Sequence, residues 1–99
     1  MSILHMHNGY PYEWDIEKAR QNLHKHNVSF EMACEVFDDR DILSVRDYTE
    51  NYEEERWQHP GRVRGCTLLL VVSTDRDNRI RIISARKAVS KEIKRYEQW

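Results

Sequence analysis

The chain is expected to fold as an α+β domain with two N-terminal helices, an antiparallel sheet of about four strands, and a C-terminal helix. Three observations carry this expectation. Residues 15–37 hold two capped segments of helical periodicity, residues 42–85 alternate or run apolar between turn signals, and Ser90 to Gln98 return to helical spacing. Ninety-nine residues, 39% hydrophobic and 33% charged, suit one domain with a modest core. Residues 1–9 show no useful periodicity and are expected to be a flexible tail, leaving residues 10–99 as the domain. His5 and His7 in that tail are metal ligands by residue type alone.

Tyr12 to Trp14 read as a short strand. Asp15 is suited to cap a helix, its carboxylate accepting from the free amides of the first turn. That helix runs to about His26 with Ile16, Ala19 and Leu23 spaced toward a core, and Asn27 stops it by tolerating the left-handed conformation. Ser29 caps a second helix whose apolar stripe is Phe30, Ala33, Val36 and Phe37. Asp38 to Asp41 form its exit turn, Ile42 to Tyr48 read as a strand, and Thr49 to Glu54 as a polar loop. Arg56 to Val63 read as a strand, with an edge or a bulge expected at Pro60-Gly61, because proline has no amide to donate. Leu68 to Thr74 is almost continuously apolar and reads as a strand buried on both faces. Asp75 to Asn78 supply a turn, Arg79 to Ala85 return antiparallel, and Ser90 caps the last helix, with Ile93 and Tyr96 on one side.

The longest apolar run, Leu68 to Val72, is far below the roughly 20 residues of a bilayer span, so a cytoplasmic protein is expected. Cys34 and Cys66 have no CxxC spacing and are read as ordinary thiols, with no metal centre and no cofactor. The net charge of −1 conceals a division: residues 31–55 hold ten acids and two basic groups, whereas residues 76–99 hold eight basic groups and three acids. The basic end suits a polyanion such as RNA or an acidic protein segment. A pI near 6.5 without a helix-turn-helix pattern counts against a DNA-binding module.

The most informative stretch is Arg79-Ile80-Arg81-Ile82-Ile83-Ser84-Ala85-Arg86-Lys87-Ala88. Its alternation sends isoleucines to one face of a strand and Arg79 and Arg81 to the other. Arg86 and Lys87 follow at its exit, so up to four cations are expected to converge near one end of a sheet and hold phosphate. A solvated strand face with surface salt bridges is the competing reading. Metal-free cleavage of RNA also needs proton transfer. For that role the candidates are Glu54 and Glu55 before the third strand, His59 on it, and Tyr96 on the last helix, with Arg56 at the start of that strand as a further catalytic candidate. Each also has a structural reading: an ion pair for Glu55, an exposed edge for His59, core packing for Tyr96. Trp14 and Trp57 are expected in the core, and Trp99 is left open.

The chain resembles the BrnT family, the toxins of type II toxin-antitoxin pairs, over about residues 12–97. The likeness lies in Tyr12-Glu13-Trp14-Asp15, Lys18-Ala19, Asn22-Leu23-His24-Lys25-His26, Val28-Ser29-Phe30-Glu31, Glu35-Val36-Phe37-Asp38-Asp39, Glu54-Glu55-Arg56-Trp57, Leu69-Leu70-Val71-Val72 and the arginine-isoleucine run. The resemblance implies a RelE-like fold and a metal-independent endoribonuclease that inhibits translation, with Glu55-Arg56 and Arg86-Lys87 at matching positions. It also implies a BrnA-like ribbon-helix-helix antitoxin in a two-plus-two complex, with operator DNA touched only through that antitoxin. Family members often carry a histidine and a glycine in the loop before Glu54, where this chain reads Tyr48-Thr49-Glu50-Asn51-Tyr52-Glu53. The alternative is an inactive interaction domain of the same fold, kept for antitoxin binding and autoregulation.

Overall fold

The computed structural model of the chain describes residues 1–49 and 53–98. The middle of the polar loop expected at Thr49 to Glu54, and Trp99, lie outside the described residues. The elements are β1 (Ser2–His7), β2 (Tyr10–Asp15), α1 (Ile16–His26), α2 (Phe30–Cys34) continued by a 3-10 turn at Glu35–Asp38, β3 (Val45–Arg46), β4 (Trp57–Val63), β5 (Thr67–Arg76), β6 (Arg79–Lys87) and α3 (Ser90–Gln98). The six strands form one sheet in the order β1-β2-β6-β5-β4-β3. All neighbours are antiparallel except β2 and β6, which pair in parallel at Tyr12–Ile80 and Glu13–Arg81.

The fold class is as expected, but the sheet is mixed and has six strands where about four were anticipated. Residues 1–9 account for much of the difference. Instead of a tail, they form β1 and a turn in which Asn8 and Gly9 both have positive φ (49° and 76°). Two consecutive left-handed residues make the tight turn whose twist matches paired strands, and Asn-Gly is the pair that adopts it most readily. The Met1 ammonium also reaches Asp15 at 3.2 Å, so the hairpin is tied at both ends.

The local signals for the helices hold. Asp15 accepts from the amides of Glu17 and Lys18, Ser29 accepts from Met32, and Asn27 is left-handed with φ 57°. One expectation fails within α1: Leu23 is exposed and its neighbour Asn22 is buried. Beyond its short pairing with β2, the edge of β6 lies open to α1, and the Asn22 amide closes it as a peptide group would. Its Nδ2 donates to the Ala85 and Val28 carbonyls (2.7 and 2.9 Å) and its Oδ1 accepts from the Ala85 amide (3.1 Å). α3 begins at Ser90 itself, one residue earlier than a Ser90 cap would place it, and Glu92 accepts from the Val89 amide at 2.9 Å.

β3 is only two residues long, shorter than the strand expected from Ile42 to Tyr48. Pro60 stands in register with Leu70, and its carbonyl accepts from Leu43 just beyond β3. The missing amide of Pro60 therefore faces a stretch where no ladder continues. The irregularity expected there lies elsewhere, between Val72 and Ser73 opposite Ile83. Gly61 is where the 3-10 turn approaches the sheet: a Cβ there would stand 2.5 Å from Val36 Cγ1.

The core fills the space between one sheet face and α1 and α2. Trp14, Phe30, Val28, Val36, Val63, Leu69, Val71 and Ile82 are buried there, with the Trp14 and Phe30 rings edge to face at 5.8 Å. Trp57 is only half-buried. Cys34 is a free, buried thiol whose pKa is pushed up to about 12 by desolvation, and Cys66 is free and exposed. Among the described residues, no helix is long and apolar enough to cross a membrane.

Candidate functional site

The side chains of alternate strand residues leave the core face and meet on the opposite side of the sheet. Register there lines up a lateral row of polar groups. Glu13 on β2 stands beside Arg81 on β6, and Arg81 beside Thr74 on β5. Thr74 Oγ1 donates to the Glu55 carbonyl at 2.6 Å, and the Asp47 amide donates to the Arg56 carbonyl at 2.8 Å. Glu13, Thr74 and Asp47 are buried, Arg81 and Arg56 partly so.

Arg81 is positioned from two sides. Its Nη1 donates to Glu13 Oε2 at 2.6 Å and to Ser2 Oγ at 3.1 Å, and its side chain is 14% exposed. The other Glu13 oxygen makes no hydrogen bond and has the Arg79 guanidinium at 3.7 Å, an ion pair by distance alone. One carboxylate thus fixes Arg81 by a hydrogen bond and lies beside the charge of Arg79, the more exposed of the two. At the other end of the row, burial pushes the Asp47 carboxyl upward, but hydrogen bonds from Thr49 and Gln58 and the Arg56 charge outweigh it and leave its pKa below the usual range. Glu55 is 66% exposed and pairs with Arg46 at 3.3 Å.

Arg86 and Lys87 are not part of this cluster. Arg86 lies five residue steps beyond Arg81 along the strand, roughly 17 Å at the usual rise. The four cations therefore do not converge at one end of the sheet. Lys87 points to the face opposite Arg86, because neighbouring strand residues alternate. Arg86 forms a two-pronged bond with Glu92 on α3 (2.9 and 2.8 Å), and that bonding with the Glu92 charge outweighs desolvation and raises its pKa.

His59 is buried rather than exposed at an edge. It lies on the core face, with Nδ1 at 2.8 Å from Ser44 Oγ, Nε2 at 2.7 Å from Ser73 Oγ, and its ring edge on Phe37 at 4.8 Å. Desolvation lowers its pKa to about 4, so at neutral pH it is an uncharged, fully bonded core group. Tyr96 is likewise buried, and its hydroxyl donates to Asp39 Oδ2 at 2.6 Å. Asp39 also accepts from the Arg62 amide at 2.6 Å, which ties the end of the 3-10 turn to β4 and α3. Burial raises the Tyr96 pKa, and the Asp39 bond adds to the effect.

From the expected set the row therefore brings together the side chains of Arg79 and Arg81; it reaches Glu55 and Arg56 through their backbone carbonyls, the Glu55 carboxylate pairing with Arg46 instead, and it omits Arg86, Lys87, His59 and Tyr96. Sequence reasoning missed Glu13 and Asp47 as the acids that hold it. Glu13 lies within the Tyr12-Glu13-Trp14-Asp15 motif, and its alternation with the core-facing Tyr12 and Trp14 was the available signal.

A family model described as "Ribonuclease toxin, BrnT, of type II toxin-antitoxin system" matches residues 14–92. Among solved structures, the Brucella abortus ribonuclease toxin BrnT is similar with a TM-score of 0.59 and 19% identity, over 78% of this chain and 94% of that one. At that identity the likeness speaks to the fold. No curated protein matches the chain.

Proposed function

The chain belongs to the BrnT toxin family of type II toxin-antitoxin systems, and from that premise we propose that it is an endoribonuclease that inhibits translation by cutting RNA without a metal ion. The observation that carries this reading is the family match, which spans β6, β5 and β4 together with both N-terminal helices. The RelE-like relationship implied by the sequence belongs to the same proposal. So do a cytoplasmic setting and a BrnA-like ribbon-helix-helix antitoxin that neutralises the toxin in a two-plus-two complex, meeting operator DNA only through that antitoxin.

In this reading the RNA backbone lies over the polar row. Arg81 and Arg79 face a phosphate, and their charge meets the extra negative charge that develops as the 2′-oxygen attacks phosphorus. The orientation of Arg81 is set in advance by Glu13, so little reorganisation of that group is required when charge develops. Glu55 is the exposed carboxylate nearest the row by sequence and serves as the proton-transfer group, with Arg56 beside it. Arg86, bonded to Glu92, and Lys87, on the other face of the strand, lie outside this path. His59 and Tyr96 act by holding the scaffold.

The test is RNA cleavage by purified protein in EDTA, compared with Arg81→Ala and Glu55→Gln, alongside growth on induced expression. Loss of one well-placed donor should slow cleavage about 100-fold. Arg81→Ala with full cleavage and a native melting curve would remove Arg81 from the reaction. A wild-type chain that binds antitoxin but neither cuts RNA nor arrests growth would establish the interaction-domain alternative.

A further inference from the structure

The two edges of the sheet are treated differently. β3 is two residues long and carries Arg46, which is paired with Glu55, so that edge is short and charged. β1 is six residues long, reads Ser-Ile-Leu-His-Met-His, and contains no proline, lysine, arginine or acid. An edge of this length without lysine, arginine, acid or proline lacks the devices that keep sheets from pairing with other chains. It also precedes the family match, which begins at Trp14.

Register determines which groups the edge offers. Around a two-residue hairpin turn the flanking residues, His7 and Tyr10, form a hydrogen-bonded pair, and such pairs recur at every second residue. The Met1 carbonyl accepts from the Ile16 amide at 2.9 Å, which fixes the odd-numbered residues as those bonded to β2. The amides and carbonyls of Ser2, Leu4 and Met6 therefore point away from the sheet. Their side chains lie on the face of Glu13, as the Ser2 Oγ bond to Arg81 requires, and Leu4 and Met6 are 59% and 57% exposed.

We propose that β1 pairs antiparallel with β1 of a second copy, joining two six-stranded sheets across a two-fold axis at Leu4. Self-complementarity singles out this occupant. An isologous contact must match each residue with its symmetry mate, and here Leu4 meets Leu4 while Ser2 meets Met6. No charged side chain is brought against another, and the exposed leucines and methionines form one apolar strip. The three outward residues of each strand exchange about six backbone hydrogen bonds. The short, charged β3 edge cannot accept β1 in head-to-tail fashion, so assembly closes at two copies. The contact is smaller than the roughly 1,200 Å² of a typical stable interface, so the dimer is reversible. Both polar rows then lie on the same side of one continuous sheet.

The experiment is sedimentation velocity of the purified chain from about 1 to several hundred micromolar, joined to residue-resolved amide exchange. The mass should rise from 12.0 kDa toward twice that value with concentration. The amides of Leu4 and Met6 should gain protection only in the dimer, whereas those of Ile3 and His5 stay protected throughout. Leu4→Pro removes one outward donor and leaves the β1–β2 bonds intact, and Met6→Lys adds charge on an exposed position; each should weaken association at least 10-fold without altering the melting curve. A chain that remains monomeric across the range would overturn the proposal. So would a dimer in which Leu4 and Met6 amides exchange freely, or protection of these amides only when the antitoxin is bound.

Discussion

Acidification should destabilise this domain through His59. The residue is 7% exposed and both its ring nitrogens are bonded to serine hydroxyls, which can accept a second ring proton but carry no charge to offset it, so burial opposes the charged form. Its folded pKa of about 4 lies below the value of about 6.5 expected in the unfolded chain. Between these values the unfolded state binds the extra proton and the folded state does not. The stability is therefore fully present above pH 6.5 and is lost as pH falls toward 4. At 1.36 kcal/mol per unit, the whole shift amounts to about 3 kcal/mol, of which about 2.5 kcal/mol is gone by pH 4.5. Urea unfolding at pH 7.0 and 4.5, for the wild type and His59→Gln, measures it. The variant should start less stable but lose about 2.5 kcal/mol less on acidification. Carboxylates with lowered pKa values, such as Asp39 and Asp47, contribute to both proteins alike and mostly below pH 4.5, so the difference isolates the histidine. Parallel losses in the two proteins would refute the buried, neutral assignment.

Gly61→Ala should destabilise the fold by about 1–3 kcal/mol, because the new Cβ meets Val36 Cγ1 at 2.5 Å and the 3-10 turn must withdraw; thermal melting with Val36→Ala as a compensating second substitution checks the cause. Asn22→Leu should lose roughly 3 kcal/mol, since the Ala85 amide and carbonyl would be left facing a hydrocarbon, and amide exchange at Ala85 should accelerate more than at Leu69.

Much of the fold was legible because its signals are local. Asp15, Asn27 and Ser29 act within a few residues of themselves, and the Leu68 to Thr74 run announces a buried strand by composition alone. The N-terminal hairpin had a local signal as well, the Asn8-Gly9 turn. Its flanks, His-Met-His and Tyr-Pro-Tyr, lack clear alternation of apolar and polar residues, and the turn was outweighed. What could not be read are pairings across the chain. Glu13 and Arg81 are 68 residues apart and meet only because β2 inserts parallel to β6. Asn22 reads as a surface position of an amphipathic helix until the open edge of β6 is known. His59 looks exposed beside Pro60, yet strand alternation turns it toward Phe37 and Ser73.

The ion pairs at the two ends of β6 have different consequences for a polyanion. A guanidinium carries five N–H donors in a rigid fork, so the number spent on an internal partner decides what remains for a phosphate. Arg86 uses both Nη1 and Nη2 on Glu92, and Nη1 also reaches the Lys87 carbonyl, so its fork is occupied by the helix it anchors. Among the described residues, Arg81 meets Glu13 and Ser2 through Nη1 alone, and the same carboxylate has Arg79 as a second, longer partner. Two guanidinium charges against one carboxylate leave the start of β6 with a surplus positive charge, and the single attached nitrogen leaves directed donors to express it. At the other end one carboxylate cancels one guanidinium. The face above Arg79 and Arg81 is thus the part of β6 with both the charge and the free donors that a bound phosphodiester requires.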